Sequence, residues 1–158
     1  KVEQNMQNPR NEIENESSLD NDFWNDPVIK NLSLKEQFFY AVMLGDYERI
    51  QFALERGIAV DTPCFNHGAT ALIVMTANEK IVRLLLAWGA NVNAQDWEGI
   101  SPLINAISCQ QKGVVKLLLE HGADPLLPHH SQPTPLVEAE EGADIEILSL
   151  LRQATLDR

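Results

Sequence analysis

The sequence predicts an all-helical solenoid of four stacked helix pairs, preceded by a polar extension. Two segments match position for position at an offset of 33 residues: "LLLAWGANVNAQDWEGISPLINA" (84–106) and "LLLEHGADPLLPHHSQPTPLVEA" (117–139). A weaker copy, "FALERGIAVDTPCFNHGATALIV", covers residues 52–74. A fixed period of this length is typical of a repeat array in which each unit packs only on its neighbours.

Residues 1–22 are predicted to form a flexible extension rich in Asn and in acidic side chains. Apolar residues are sparse there, so the segment buries too little surface to offset the entropy lost on ordering. The cluster "DFWNDPVI" (22–29) differs. We expect Phe23, Trp24, Val28 and Ile29 either to cover the exposed end of the core or to bind a partner.

The repeat domain is predicted to cover residues 23–158, with four units near 33–66, 67–98, 99–131 and 132–155. The first unit starts with the capping box Ser33-Leu34-Lys35-Glu36, in which Ser and Glu side chains bind free amides at a helix start. Ser101 and Thr134 are predicted N-caps. The prolines that follow them, Pro102 and Pro135, suit the first helical position, where no amide hydrogen is needed.

The second helix of each unit is predicted to carry the core. Its apolar residues recur in two columns, Ile50, Val82, Val115, Leu148 and Phe52, Leu84, Leu117, Leu150. Two short helices cannot bury such columns alone, whereas stacked units can, at about 1.5–3 kcal/mol for each buried Leu. Glycines end these helices as left-handed caps, at Gly57, Gly89 and Gly122.

The central and last units resemble a known repeat family. "GISPLINAISCQQKGVVKLLLEHGAD" (99–124) resembles the ankyrin repeat, and "QPTPLVEAEEGADIEILSLL" (132–151) is similar to it. The resemblance covers about residues 33–155. It implies two antiparallel helices per repeat, followed by a β-hairpin-like finger that projects roughly at right angles and leads into the next unit.

Departures from the repeat pattern carry two further expectations. The segment from Thr70 to Leu84 is two residues shorter than that from Ser101 to Leu117, which predicts a tightened turn between the helices of the second unit. The last unit has Arg152 where earlier units have Leu. Polar replacements of this kind are what the terminal units of a solenoid require.

Trp97 lies in a polar turn, where a large aromatic side chain needs an explanation. In the repeat register it corresponds to Phe65 and His130, so the three rings form a stripe across successive fingers. The resemblance implies that finger tips and first helices line a concave groove that binds another protein. Trp is common among the residues that anchor protein interfaces. We expect Trp97 to contact a partner, with packing on a neighbouring finger as the alternative.

The same register adds further candidate residues for the groove. On the fingers they are Asn66, Glu98, Ile100 and Ser131; on the first helices they are Val74, Asn105, Ser108, Cys109, Glu138 and Glu141. Together with Asp96, the three glutamates make the C-terminal half of the groove acidic. We therefore expect a protein partner with a basic surface, although a solvated face serving only solubility gives the same pattern.

Composition excludes several classes of function. The net charge of −11 opposes binding to nucleic acid. The longest apolar run, "IVRLLLAWGA", is too short for a membrane span and contains Arg83. Because the chain begins at Lys1 and not at Met, we expect either a cytoplasmic protein or, where a signal segment has been removed, one of the bacterial envelope.

The sequence offers no convincing catalytic or metal site. Cys64 and Cys109 are too few for a disulfide framework and lack CxxC spacing, so we expect free thiols. His129-His130 is the one pair that suits a metal, but further ligands are missing. We therefore predict a non-catalytic protein without cofactor or metal.

The predicted function is stoichiometric binding of a specific protein partner, which the chain neutralises or regulates as an immunity protein or inhibitor does. Two alternatives remain open. One is an adaptor or host-directed effector scaffold that recruits its partner without blocking it. The other is an accessory factor in a metal or redox pathway, using His129, His130 and the thiols. Without its partner the chain is expected to be monomeric.

Overall fold

A computed structural model describes residues 23–128, 134–142 and 144–156. The chain divides into two units, residues 1–33 and residues 34–158. In the described part, all regular secondary structure is helical. This confirms the all-helical fold, while the predictions for residues 1–22 concern a segment outside the described residues.

The first unit contains a short helical segment at residues 23–25 and helix α1, Pro27–Lys30. The Asp26 carboxylate accepts a hydrogen bond of 2.7 Å from the backbone N–H of Val28 and so caps α1. Phe23 and Trp24 meet edge to face at 5.2 Å, and Trp24 is buried. Val28, expected to cover apolar surface, is instead 69% exposed.

The second unit consists of four helix pairs. The first helices of the pairs are α2 (Leu34–Leu44), α4 (Ala71–Val74), α6 (Pro102–Ser108) and α8 (Pro135–Gly142). The second helices are α3 (Tyr47–Glu55), α5 (Glu79–Ala87), α7 (Lys112–Glu120) and α9 (Ile145–Leu156). Helices α4, α6 and α8 stack in one layer, and α3, α5, α7 and α9 stack in the other.

The helix boundaries follow the predicted capping chemistry. The Ser101 hydroxyl accepts a hydrogen bond of 3.2 Å from the N–H of Ile104, and α6 begins at Pro102. After the second helices, Gly57, Gly89 and Gly122 have φ angles of 93°, 79° and 86°. This left-handed conformation is strained for residues with a Cβ, which explains the glycine at each helix end.

The predicted columns form the interface between successive pairs and are less completely buried in the last pair, where Leu148 and Leu150 are half-buried. Ile50, Val82 and Val115 are fully buried, and Leu84 and Leu117 are also buried. Phe52 is 37% exposed, so its placement in a buried column was wrong. It belongs to the first pair, where a repeat stacks on one side only, and the Arg56 guanidinium lies 4.7 Å from the centre of its ring.

A third column, not recognised in the sequence, is buried as completely as the column of Ile50, Val82 and Val115. It consists of Ala53, Leu85, Leu118 and Leu151, of which the three leucines have no exposed surface. The spacing of 33 residues between these leucines was visible in the sequence. All three columns are therefore buried in the two central pairs, and the core runs continuously through the array.

The second pair is shortened in its first helix, and the prediction of a tightened turn was wrong. Helix α4 has four residues, whereas α6 has seven. The segment between α4 and α5 is residues 75–78, one residue longer than residues 109–111. The chain leaves α4 early because Asn78 caps α5, accepting a bond of 3.2 Å from the N–H of Ile81.

The fingers, residues 57–70, 89–101 and 122–134, follow the C-caps of the second helices and are joined to each other by polar side chains. The Asp61 carboxylate accepts bonds of 3.1 and 3.2 Å from the N–H of Asn91. The Asn93 side chain accepts from the N–H of Asp124 at 2.8 Å and donates to the carbonyl of Gly122 at 3.2 Å. These bonds hold each finger at a fixed distance from the next.

The last pair has the polar substitution expected of a terminal unit. Arg152 is exposed, and its guanidinium lies 3.1 Å from the carboxylate of Glu140. The equivalent Leu54 and Leu86 are buried between repeats. A charged residue at this position in the last pair remains in solvent, where it has no desolvation cost.

The stacking of the second helices predicts a large cost for Leu118→Ala. This change removes a fully buried side chain from the third column and leaves a cavity. We expect a loss of about 3 kcal/mol in the free energy of unfolding, measured by urea denaturation with circular dichroism. Lys116→Ala, on the exposed side of the same helix, is the control and should change stability by less than about 1 kcal/mol. Equal effects of the two changes would contradict this account of the core.

Candidate functional site

The turn that carries Trp97 is built by Asp96. The N–H of Asp96 donates to the carbonyl of Ile100 at 3.1 Å, and its carboxylate accepts bonds of 2.9 Å from the N–H groups of Glu98 and Ile100. The residue is only 6% exposed. Asp96 was expected to add negative charge to the groove; this was wrong, because its carboxylate is buried and used to shape the turn.

Trp97 is anchored at one side and open elsewhere. Its backbone N–H donates to the carbonyl of His67 in the preceding finger at 2.9 Å. Its ring lies against Gly68, where an added Cβ would be 2.6 Å from the indole nitrogen. The residue nevertheless remains 74% exposed. The ring of Trp97 therefore both packs on the neighbouring finger and remains exposed to solvent. The contact with Gly68 restricts the position of the ring.

Phe65 lies in a group of rings at the tip of the first finger. Its ring centre is 5.2 Å from that of Phe39 in α2 and 5.7 Å from that of His67. We refer to Phe39, Phe65, His67 and Trp97 as the aromatic cluster. The contact between Phe65 and Phe39 shows that the finger tip and the first helix share a surface. His130, the third ring of the predicted stripe, lies outside the described residues.

The other candidates on the fingers differ in exposure. Asn66 and Glu98 are exposed, whereas Ile100 is half-buried. Glu98 forms no ion pair with any residue in the described ranges. Its carboxylate is therefore available to a partner beside Trp97, while Ser131 lies outside the part of the chain that the structure describes.

The candidates on the first helices fall into two groups. Ser108, Cys109 and Glu141 are exposed, and the Ser108 hydroxyl donates to the half-buried Glu138 carboxylate at 3.2 Å. Asn105 differs, because its amide links two repeats. It donates to the carbonyl of Ile73 at 2.6 Å and to the hydroxyl of Thr76 at 3.1 Å. These bonds give Asn105 a part in the packing of α6 on the second pair.

Charge is segregated between the two layers of the unit. We use the term finger–helix face for the exposed side chains of the fingers and of α4, α6 and α8. The corresponding sequence, residues 57–78, 89–111 and 122–143, contains seven Asp or Glu and no Lys or Arg. Helix α2, the first helix outside this face, carries one exposed Lys and one exposed Glu, Lys35 and Glu36. This uniform negative sign was readable from the sequence once the charges were counted element by element.

The cations of the same repeats lie on the second helices, where Arg83, Lys112 and Lys116 have their partners, whereas Arg152 pairs with Glu140 of α8. Arg83 pairs with Glu79 at 2.6 Å, and Lys112 pairs with Glu146 at 2.6 Å and with Asp144 at 3.3 Å. These carboxylates raise the pKa of Lys112, chiefly through the hydrogen bond to Glu146. The positive charges of this layer are therefore partly neutralised locally, and the finger–helix face keeps its negative potential.

Two members of the aromatic cluster, Phe39 and His67, were missed in the sequence. Phe39 lies on a first helix without the Ser/Thr-Pro-Leu start, so the repeat register did not align it with other groove positions. His67 contributes its backbone carbonyl to Trp97 and its ring to Phe65. Because every residue has a backbone carbonyl, the residue type does not indicate which carbonyl accepts such a hydrogen bond.

The thiols differ in their surroundings. Both are free, with Cys64 buried and Cys109 exposed. Burial raises the pKa of the Cys64 thiol to about 11. In the described ranges, no three His, Cys, Asp or Glu side chains are grouped so as to hold a metal ion. His129 and His130, named for the metal alternative, lie outside those ranges.

The contact between Trp97 and Gly68 predicts unequal effects of two Gly-to-Ala changes. Gly57 and Gly68 both have positive φ angles, so Ala at either position costs about 1 kcal/mol in backbone strain. Only at Gly68 does the added Cβ also meet the indole ring. We expect Gly68→Ala to be the more destabilising and to shift the indole N–H resonance of Trp97, which Gly57→Ala leaves unchanged. An unshifted resonance in Gly68→Ala would show that the ring does not lie there.

The burial of Cys64 predicts stepwise reaction of the thiols with a disulfide reagent. With a pKa of about 11, only about one Cys64 thiol in a thousand is ionised at pH 8, and the thiolate is the reactive form. We expect Cys109 to react first and Cys64 only on unfolding or as the pH approaches its pKa. Spectrophotometric titration of wild type and Cys109→Ser measures this. Rapid reaction of the folded Cys109→Ser variant at pH 8 would contradict the burial of Cys64.

Comparisons with known proteins agree with this architecture. Residues 38–129, more than half of the chain, match the family model described as ankyrin repeats (3 copies). The B-cell lymphoma 3 protein homolog of Mus musculus is 34% identical over 125 residues, which are 78% of this chain and 28% of that protein. The 2-5A-dependent ribonuclease of Homo sapiens is 42% identical over 79 residues, which are 48% of this chain and 11% of that protein.

A third relative is the Ankyrin repeat, SAM and basic leucine zipper domain-containing protein 1 of Homo sapiens, 35% identical over 122 residues, which are 73% of this chain and 25% of that protein. The chain thus spans less than a third of the length of each of these relatives. No helix in the described ranges has the length and apolar character that a membrane crossing requires. Ankyrin repeats are generally non-catalytic and indicate a module for protein–protein interaction. With its repeat period, stacked helix pairs and family match, this chain belongs to the ankyrin-repeat family.

Proposed function

We propose that this chain binds one protein partner with a basic surface through the finger–helix face and thereby neutralises or regulates it. The observation that carries the proposal is Trp97, a fixed but 74% exposed ring on a face without Lys or Arg. Burial of exposed aromatic surface by a partner supplies affinity, and Trp is frequent among the residues that dominate such interfaces.

The segregated charge supports a basic partner. Of the seven carboxylates in this part of the sequence, Asp96 is buried and Glu140 pairs with Arg152, whereas Glu98 and Glu141 are exposed and form no ion pair among the described residues. A basic surface approaching this face is attracted over its whole length, whereas the second helices present a mixture of both signs. The attraction accelerates association and weakens as the salt concentration rises.

The size of the unit favours neutralisation over recruitment. A standard interface buries about 800 Å² on each partner. Four helix pairs offer one such area on the finger–helix face but little room for a second specific partner. A chain that uses this face on one protein is therefore suited to covering a functional surface of that protein, and we propose that it is monomeric before binding.

The aromatic cluster predicts that a partner is lost when two of its rings are truncated. We expect wild type to capture a partner from its native source and the double variant Phe65→Ala, Trp97→Ala to lose it, since the truncation of interface anchors costs about 2 kcal/mol or more. Trp88→Ala is the matched control, because this Trp is also exposed but lies at the end of α5. Circular dichroism must show that all three proteins are folded.

Capture of the same partner by the double variant would contradict binding through the aromatic cluster. Once the partner is identified, its activity is measured against increasing amounts of this chain. Loss of activity at an equimolar ratio supports neutralisation. Full activity in the saturated complex would contradict it and favour the adaptor alternative.

A further inference from the structure

We propose that Trp97 and Glu98 together receive an arginine side chain from a basic segment of the partner. This inference rests on the proposed function and deepens it, because it names the side chain that the finger–helix face recognises. The two residues are adjacent at the tip of the second finger, and both are exposed. They combine a flat aromatic surface with a carboxylate, the two groups that a guanidinium binds best.

Two partly exposed rings of α3 show that rings in this chain can hold a cation, which supports a cation over Trp97. The Arg56 guanidinium lies 4.7 Å from the centre of the Phe52 ring, and the Lys80 ammonium lies 4.0 Å from that of Tyr47. Both rings belong to α3, on the layer that contains the cations. Trp is the best ring for such contacts. Over Trp97 no cation of the described residues is found, and the surrounding face has no Lys or Arg to supply one.

The carboxylates at the turn have separate tasks. Asp96 is buried and accepts two backbone N–H groups, so it is not available to a ligand. Glu98 is exposed, and only its backbone N–H is used in the turn. The turn therefore carries one exposed carboxylate without an ion pair among the described residues, on the residue that follows the exposed Trp97. An arginine stacked on the ring can direct its N–H groups to both oxygens of that carboxylate, whereas the compact ammonium of lysine does not form this planar arrangement.

Trp97 and the backbone of Glu98 are also held in place before a ligand binds. Trp97 is fixed through the carbonyl of His67 and the contact with Gly68, and the backbone of Glu98 is fixed by Asp96. Gln95 adds a link from this finger to the next, donating to the carbonyl of Pro128 at 2.8 Å. Binding to a fixed surface loses less conformational entropy than binding to a mobile loop.

The test titrates the labelled full chain with an oligo-arginine peptide and with an oligo-lysine peptide of equal length, at physiological salt. Indole N–H resonances report separately on Trp24, Trp88 and Trp97. We expect the arginine peptide to shift the Trp97 resonance most and to bind about fivefold more tightly than the lysine peptide. Glu98→Gln should weaken the binding of the arginine peptide by a similar factor. Glu48→Gln, which removes one exposed carboxylate from α3, is the control and should not weaken it.

Three results would overturn the proposal: equal affinity for the two peptides, equal losses in Glu98→Gln and Glu48→Gln, or a Trp97 resonance that does not move. The first two indicate attraction by the general negative field, and the third places the peptide elsewhere. None of them depends on a substitution of Trp97, so a misfolded variant cannot obscure the outcome. None of these results contradicts partner capture through Phe65 and Trp97. The failure of the arginine-binding proposal is therefore distinguishable from that of the proposed function.

Discussion

The structure depends on one constraint: a single helix pair of this length cannot enclose its own apolar side chains. Helix α4 has only four residues, and even α5 and α7 have nine. Leu85 and Leu118 become fully buried only because the neighbouring pairs lie on both sides of them. Stability is therefore a property of the interfaces between repeats, and each pair must keep a fixed register with the next.

The same constraint leaves the core to the helices and to small buried residues at the finger bases, such as Ala69, Ala90 and Ala123. The shape of the fingers is set by hydrogen bonds, as the Asp96 carboxylate shows by organising two backbone amides, and their spacing is set by side chains such as Asn93. A large side chain at the tip is then not drawn inward to fill a cavity. Trp97 can remain exposed because the turn beneath it is satisfied without it.

Features that recur with the repeat period were predicted correctly from the sequence. Contacts that occur in only one repeat were not. Helix starts and ends follow from Ser101, Pro102 and the glycines, because capping is local chemistry. Burial of Phe52 was wrongly predicted, since the repeat register treats every unit as internal. Nor does residue type reveal that Asp96 faces its own backbone or that the ring of Trp97 lies on Gly68, because these contacts depend on how the fingers fold and stack.

The separation of charge follows from the different roles of the two layers, the second helices on one side and the fingers with the first helices on the other. The second helices form ion pairs within and between repeats, such as Arg83 with Glu79 and Lys112 with Glu146. In the fingers, the carboxylates of Asp61 and Asp96 and the neutral amide of Asn93 bind backbone N–H groups, so this cohesion needs no cations. A face held together in this way can carry negative charge of one sign without losing its structure. Its charge is then free to serve recognition, and its one open indole determines where recognition is strongest.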